Sequence, residues 1–357
     1  MKVIILIIIL GIIVWAERKW VSYVTCSVSY SGKCDRIMVE PDQVVTWTGT
    51  LTNKGNLPIP YVQVVQRFSY PSKPEESPEW FKKYCVMSAT RWRVDRSISL
   101  LPGRNRDLPV RFSVPARGCY PMGGYEFWVG DIMGLKETEL HGDWGKVVVL
   151  PKRCSKPPVL DAMGGFLGDV SVRRFIMEDP ILTVGFREYT GREPMKAISW
   201  TRTAASGIMQ VRQYDHTAEQ HLVVILNVED GTDEQLEECF SIARTVCEEL
   251  ERRKIPYGFR TNGNLPKTTG KVFYLPEGLG EQHLNTILYG LGAADYTCFG
   301  SFRNLAVRTL RSRRIHESYI VITPPLSDAT KAATDKLSQA VNGQICVLVG
   351  NGEVQQT

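Results

Sequence analysis

Side chains that could perform catalysis are spaced in ways that match none of the common catalytic motifs. The nine cysteines form no C-x-x-C pair, and the five histidines lack the spacing of a metal pair on one helix face. Gly270-Lys271 is followed by Val272 and preceded by Leu265 where a P-loop would have its first glycine. We therefore predict a protein without enzymatic activity or cofactor. A cysteine nucleophile paired with a distant histidine is the catalytic alternative that stays open.

Charged and aromatic side chains are concentrated instead in one segment, Asp179–Asp215, which we call the signature segment. Its predicted partner-binding residues are Arg187, Glu188, Tyr189, Gly191, Lys196, Trp200, Arg202 and Arg212. Mixed charge and aromatic surface is typical of binding hot spots, so the segment is predicted to dock a protein partner. In the structural alternative, Arg187 and Glu188 form local ion pairs, Trp200 and Ile198 pack beneath a sheet, and the segment only joins two domains.

Composition describes a globular protein that is long enough for two domains of ordinary size. The 357 residues are 43% hydrophobic and 23% charged, with a formal net charge of +5. Lysines and arginines are scattered among acidic residues, so nucleic acid is not an expected partner. The cysteine pattern favours reduced thiols in a reducing compartment, with a Cys26–Cys34 bridge left as an alternative.

The amino-terminal run Val3–Ala16 has no charged or strongly polar side chain. It predicts an uncleaved transmembrane anchor over residues 1–22, with the lipid bilayer as a partner, and a signal-peptide core is the competing interpretation. Trp15 and Trp20 suit an interfacial aromatic belt, and no small-x-small cleavage site follows. The expected location is the cell membrane, crossed once, with the soluble part on the cytoplasmic side.

The spacing of hydrophobic residues changes along the remaining chain and divides it into three parts. Short β-rich runs between turn residues predict an antiparallel β-sandwich over residues 23–150. Residues 151–219 hold a proline-rich linker and the signature segment. From residue 220 to 357, nearly continuous apolar strands alternate with helical segments, as in an α/β domain with a mainly parallel sheet. The clearest helix covers Thr232–Arg253, where Thr232 and Gln235 fit a capping box.

The signature segment carries a recognisable motif. Its residues are Arg187-Glu188-Tyr189, Gly191, Ile198-x-Trp200-x-x-Thr203-Ala204 and Val211-Arg212. Upstream of the segment, four shorter patterns are similar to the same family's β domain but are less specific: Asn53-x-Gly55-x-x-Pro58, Arg117-Gly118-x-Tyr120, Gly124 and Asp131-x-x-Gly134-Leu135. With these residues the chain resembles the bacterial domain-of-unknown-function family 58 over nearly its whole length. It departs from that family at Arg192, where an acidic residue is common and Glu193 follows one place later, and at Ala205, where an arginine is frequent.

The resemblance implies a fold class and partners. It implies that the α/β domain is von Willebrand factor A-like, of the Rossmann type. The predicted fold class is therefore α/β plus all-β, with the transmembrane helix and the antiparallel sandwich preceding that domain. Family members often accompany MoxR-type AAA+ ATPases and transglutaminase-like membrane proteins. A MoxR-type ATPase is accordingly the partner that the resemblance implies, and a transglutaminase-like membrane protein is a second one.

Metal binding is not expected in the α/β domain. Domains of the von Willebrand factor A type that bind a cation have Asp-x-Ser-x-Ser after the first strand, because a hard divalent cation needs several fixed oxygen ligands. Here Asn227, Glu229 and Gly231 occupy those three positions. The site is degenerate, and the simpler interpretation is that Asp230 and Thr232 cap the next helix.

Taken together, the sequence predicts a membrane-anchored, non-enzymatic adaptor that works with a MoxR-type ATPase in assembly or maturation of other proteins. The alternative is an extracytoplasmic surface protein whose α/β domain binds a ligand through a residual cation.

Overall fold

The computed structural model describes residues 2–130, 137–142, 145–176, 179–191, 193–215, 221–264, 273–313, 317–340, 344–350 and 354–356. Asp131-x-x-Gly134-Leu135 and Arg192 of the motif lie outside this part of the chain. The protein forms two compact units, one of residues 1–152 with 289–294 and one of residues 153–288 with 295–357.

The first unit is built mainly from two β-sheets. Its elements are α1 (Lys2–Ser27), β1 (Val28–Cys34), β2 (Met38–Val39), β3 (Val45–Asn53), β4 (Ile59–Ser69), β5 (Lys73–Pro74), α2 (Pro78–Tyr84), β6 (Cys85–Met87), β7 (Arg91–Leu100), β8 (Asn105–Ser113), β9 (Gly118–Gly130), β10 (Glu137–Gly142) and β11 (Gly145–Val149). One sheet has the order β1-β3-β8-β5, and the other has the order β2-β11-β9-β4-β7-β6 with β10 paired to β9. Strand β3 shows why the sheets pack: its residues alternate between buried and half-buried, which gives it one face for a core.

Aromatic side chains from both sheets fill the core of this unit. Trp47 and Phe112 lie on one sheet, and Phe68 and Trp92 lie on the other, with the Phe68 and Trp92 rings stacked 4.2 Å apart. Space for the Trp47 indole depends on glycine. A Cβ atom at Gly123, where φ is +68°, would lie 2.0 Å from the indole ring. Gly123 lies within β9, where the register with β4 shifts, and its lack of a side chain permits this close approach to the indole.

The second unit contains a small hairpin sheet and a larger mixed sheet covered by helices. Its elements are α3 (Pro157–Ile176), β12 (Asp179–Glu188), a 3-10 helix (Met195–Ala197), α4 (Trp200–Ser206), β13 (Gln210–Asp215), β14 (His221–Leu226), α5 (Asp233–Arg252), β15 (Tyr257–Thr261), β16 (Phe273–Gly278), α6 (Glu281–Ala293), α7 (Phe302–Arg311), β17 (Glu317–Thr323), α8 (Asp328–Ala340), β18 (Ile345–Val349) and β19 (Val354–Gln356).

The larger sheet has the strand order β16-β15-β14-β17-β18-β19. Its four inner strands are parallel, and β16 and β19 pair antiparallel at the edges. Every residue of β15, β17 and β18 is buried, as expected of strands covered on both faces. Helix α5 begins with the predicted capping box: the Thr232 side chain accepts from the Gln235 N–H, and the Gln235 side chain accepts from the Thr232 N–H.

The predicted fold class is wrong, and its membrane anchor is the main error. Of the helices in the described residues, none combines the length and the apolar composition needed to span a bilayer. The uninterrupted apolar run Val3–Ala16 falls short of the roughly 20 residues that a span requires, and α1 continues from it through Glu17, Arg18 and Lys19. Trp20, predicted to lie at a membrane interface, instead packs against the cluster that contains buried Val24 and Val28. Residues 2–22 are thus part of a helix, α1, that reaches the core of the first unit.

The β part of the prediction also needs correction. The sheet that contains β2 and β11 is not wholly antiparallel, since these two strands run parallel. The second unit has a two-stranded sheet, β12-β13, besides its larger one. The protein is a mixed α/β protein with several sheets. This fold class replaces the predicted order of a transmembrane helix, an antiparallel sandwich and a von Willebrand factor A-like domain.

Candidate protein-docking site

The signature segment forms a compact hairpin lobe. Strands β12 and β13 pair antiparallel, and the 3-10 helix and α4 lie in the connection between them. The lobe is closed by three hydrogen bonds: the Ser199 N–H donates to the Gln210 carbonyl (2.8 Å), the Gln210 N–H donates to the Thr203 hydroxyl (3.0 Å), and the Tyr189 N–H donates to the Met209 carbonyl (2.9 Å). Ile198, Ser199 and Val211 are buried beneath these contacts.

Two glycines permit the turns of the lobe. Gly191 has φ of +85° at the tip that follows β12, and Gly207 ends α4 in the left-handed conformation with φ of +70°. Most residue types are strained at these angles, whereas glycine is not. The predicted site residue Gly191 therefore has a backbone role.

Arg187 forms an ion pair with another residue of the lobe. Its guanidinium lies 2.6 Å from Glu193, and the same carboxylate accepts hydrogen bonds from the Thr190 N–H (3.1 Å) and the Thr190 hydroxyl (2.8 Å). The hydrogen bonds from Thr190, helped by Arg187, lower the pKa of Glu193 to about 2. Glu193 therefore forms an ion pair with the motif residue Arg187, although it lies one position after the place where the resembled family commonly has its acidic residue.

Trp200 is not part of the buried interior of the lobe. It is the first residue of α4 and 58% exposed, while Ile198 two residues earlier is buried. Of the two side chains that the structural interpretation places beneath a sheet, Ile198 is buried and Trp200 is exposed. Burial of an indole against a partner would remove a large apolar area from water, which is the usual energetic basis of a hot spot.

Further exposed apolar side chains lie in the same lobe, and the sequence did not predict them as site residues. They are Phe186, Met195, Ile208 and Met209, of which Met195 is 67% exposed. Their hydrophobic character was visible in the sequence, but their exposure depends on how the hairpin and its two short helices fold. Large apolar side chains gathered on one surface are typical of interaction sites.

Positive charge accompanies these apolar groups. The Arg202 guanidinium lies over the Phe186 ring, 5.0 Å from its centroid. Glu188, Lys196 and Arg212 are exposed, and no ion pair involves them within the described part of the chain. We call the exposed set the docking surface, defined as Phe186, Met195, Lys196, Trp200, Arg202, Ile208, Met209 and Arg212.

The degenerate cation position in the second unit is occupied by an amide network. Asn227 is fully buried, and its carbonyl oxygen accepts from the Glu229 N–H (3.0 Å) and from the Asn262 amide (2.9 Å). Its amide group donates to the Thr323 hydroxyl at 3.1 Å. Glu229 accepts from the Phe302 N–H at the first turn of α7 (2.5 Å). These oxygens already accept hydrogen bonds from protein donors, and among the described residues no group of three or more His, Cys, Asp or Glu could hold a metal.

Asp230 has a different role from the one predicted. Its φ is +63°, and its carboxylate accepts from the Ser327 hydroxyl at 3.1 Å, so it links the end of β14 to the start of α8. The cap of α5 is supplied by Thr232.

We expect Mg²⁺ at millimolar concentration to change the melting temperature of the protein by less than about 1 °C, because a ligand stabilises only the state that binds it. Thermal unfolding with and without the ion measures this effect. Micromolar Mg²⁺ affinity by calorimetry, abolished in the Asp230→Ala variant, would contradict the degenerate-site assignment.

The cysteines are free thiols, so no bridge joins Cys26 to Cys34. Burial raises the pKa of Cys34 and Cys85 to about 11 and that of Cys239 and Cys346 to about 12. Thiols with raised pKa values are poor nucleophiles at neutral pH.

No protein-family model and no curated protein matches the chain. Solved structures that are similar include the sporulation control protein Spo0M of Bacillus subtilis, with 14% identity, a TM-score of 0.20, and coverage of 46% of this chain and 58% of that one. A CARDB domain from Pyrococcus furiosus, solved with di-metal ions, has 15% identity, a TM-score of 0.22, and coverage of 34% and 91%. A non-cellulosomal cohesin of Archaeoglobus fulgidus has 10% identity, a TM-score of 0.25, and coverage of 34% and 91%. The chain thus spans 58% of the length of Spo0M.

Proposed function

We propose that this protein is a non-enzymatic adaptor that binds a protein partner through the docking surface of its signature segment. The observation that carries the proposal is the exposure of Trp200 together with four other large apolar side chains in one small lobe. Burial of apolar side chains stabilises a folded protein, so several exposed ones in a single lobe, one of them in contact with the Arg202 guanidinium, are best explained by a partner that covers them.

The partner we propose is a MoxR-type AAA+ ATPase. The resemblance of the signature motif to the family that accompanies these ATPases supports this choice. The charge of the surface adds a requirement on the partner: Lys196, Arg202 and Arg212 are exposed cations, so the matching surface of the ATPase should be acidic. Exposed charges at the rim of such an interface act mainly on the association rate and its salt dependence.

Binding of the full chain to a MoxR-type ATPase, measured in the presence of nucleotide by surface-based kinetics, tests the proposal. We expect Lys196→Ala and Arg212→Ala to slow association and to weaken its dependence on salt, with melting temperatures unchanged. Arg106→Ala, which removes an exposed cation on β8 of the first unit, is the matched control and should bind as the wild type does.

The Arg187→Ala variant tests whether Arg187 contacts the partner directly or only holds the lobe in its binding conformation. Since Arg187 holds Glu193 within the lobe, its loss should loosen the lobe and weaken binding through a faster dissociation rate rather than through slower association. Wild-type kinetics in all folded cation variants, or no association of the wild-type chain with the ATPase, would remove the basis for the proposed function.

A further inference from the structure

A polar pocket opens on the larger sheet of the second unit, beside the end of α7. It encloses about 310 Å³ of empty space, part of which is open to solvent. Strands β14 to β17 contribute to its lining, and the residues that bear on ligand binding are Gly258, Arg260, Tyr274, Glu277 and Glu317. Its volume lies at the small end of the range for ligand pockets, so it suits a small polar molecule.

Arg260 is a buried cation whose hydrogen-bond donors are only partly used. Its guanidinium donates to the Glu317 carboxylate and to the Thr309 carbonyl, and both distances are 3.4 Å, which is long for a charged donor. A guanidinium has several further N–H groups, and within the described part of the chain no other acceptor binds those of Arg260. A buried donor without an acceptor is costly, so a molecule that supplies an acceptor is expected beside Arg260 in the pocket.

An acidic residue lies at the other end of the pocket floor, and Gly258 forms the floor between the two charges. A Cβ atom at Gly258 would lie 3.6 Å from the Glu277 backbone nitrogen, and the Glu277 carboxylate is held by His221, whose Nδ1 lies 2.7 Å away. Gly258 and Arg260 face the same side of β15, because they are two residues apart on a strand, and that step spans about 7 Å. The pocket therefore has a cation at one end and a carboxylate at the other.

We propose that this pocket binds a small free amino acid as its zwitterion, with the carboxylate at Arg260 and the ammonium group at Glu277. The class of ligand follows from the lining: a simple anion would be repelled by the carboxylates of Glu277 and Glu317, and a simple cation would be repelled by Arg260. A zwitterion has the complement of both ends and adds no net charge to the pocket. No residue of the docking surface lines the pocket, so this binding is independent of the proposed docking of an ATPase.

Titration calorimetry of the full chain with free glycine and L-alanine tests the proposal, with acetate and methylammonium as ligands that carry one charge each. We expect an amino acid to bind at least about tenfold more tightly than either single-charge ligand, because each of these lacks one charged hydrogen bond. Glu277→Gln keeps the size of the side chain but removes its charge and should weaken binding by at least about tenfold. Gly258→Ala puts a methyl group on the pocket floor and should weaken binding by a similar factor. The added Cβ would meet its nearest neighbour at 3.4 Å, an ordinary contact, so this variant should fold.

Each variant has a matched control. Glu281→Gln makes the same change in charge at an exposed residue in the first turn of α6 and should bind as the wild type does. Gly300→Ala adds a methyl group where a Cβ atom meets no other atom within 4 Å, and it too should retain wild-type affinity. Thermal unfolding of every variant without ligand separates loss of binding from loss of fold. If Glu277→Gln fails to fold because His221 loses its carboxylate, Gly258→Ala and the single-charge ligands still decide the result.

Three outcomes would overturn the proposal. The first is the absence of binding by either amino acid at millimolar concentration, which would mean that water alone supplies the missing acceptor for Arg260. The second is equal affinity for acetate or for methylammonium, which would show that the site recognises one charge rather than two. The third is wild-type affinity in folded Gly258→Ala, which would place the bound amino acid elsewhere on the protein.

Discussion

Replacement of Trp200 by alanine is expected to weaken binding to the proposed partner, a MoxR-type ATPase, by about 30-fold, corresponding to about 2 kcal/mol, while the melting temperature stays unchanged. Trp200 is 58% exposed, so removal of its side chain leaves no buried cavity in the lobe. A buried tryptophan would behave differently, since truncation of a core aromatic costs about 3–5 kcal/mol of folding free energy. Binding kinetics and thermal unfolding on the same preparation distinguish the two effects.

Two further variants sharpen this test. Trp200→Phe keeps most of the apolar area and should retain most of the affinity. Phe299→Ala removes an exposed aromatic side chain elsewhere in the second unit and should leave binding intact. If the Trp200→Ala protein unfolds instead, Trp200 stabilises the fold, and the signature segment serves only to join two domains.

Removal of the Glu317 carboxylate is expected to cause a large loss of stability in the larger sheet. Glu317 lies 3.4 Å from the Arg260 guanidinium, and both side chains are only 5% exposed. Glu317 also accepts a hydrogen bond from the Tyr319 hydroxyl, and Arg260 lies over the Tyr274 ring, 5.0 Å from its centroid. Glu317→Ala leaves a buried cation without its carboxylate, which should cost about 3–5 kcal/mol in the free energy of unfolding.

Denaturant unfolding of single and double variants measures this effect. Arg260→Met/Glu317→Leu replaces both charges with apolar groups and should be more stable than Glu317→Ala, because no isolated charge then remains buried. Arg93→Ala is the control: it removes an ion pair of the same 3.4 Å length whose side chains are 48% and 27% exposed, and it should cost at most about 1 kcal/mol. A loss below that value for Glu317→Ala would show that Arg260 finds another partner or reaches water.

Local patterns in the sequence were sufficient for several elements of the second unit. The helix predicted over Thr232–Arg253 is α5, and five residues at helical spacing are buried in it: Leu236, Phe240, Ala243, Cys247 and Leu250. The capping box at Thr232 and Gln235 was predicted from residue type and spacing, and both of its hydrogen bonds are present. These features depend on contacts between residues a few positions apart, so the sequence contains the information that specifies them.

The amino-terminal helix shows where a local pattern was insufficient. The apolar run Val3–Ala16 predicts burial, but its residues alone do not distinguish burial in lipid from packing against other parts of the protein. Trp20 and Val24 lie near the run in sequence and pack on strands of the first unit, a contact between residues distant in the chain.

The candidate sites depended even more on tertiary contacts. The sequence determined which residues of the signature segment could bind a partner, but Trp200 is exposed and Ile198 buried because the Ser199, Thr203 and Gln210 hydrogen bonds fold the lobe in one way. Likewise, the substitution at Asn227 was visible in the sequence, whereas its hydrogen bonds to Asn262 and Thr323 join three strands that only the folded sheet brings together. Helical and strand periodicity follows from neighbouring residues. Exposure and hydrogen-bond satisfaction of a side chain depend on groups far away in the chain, and those distances are decided by the tertiary structure.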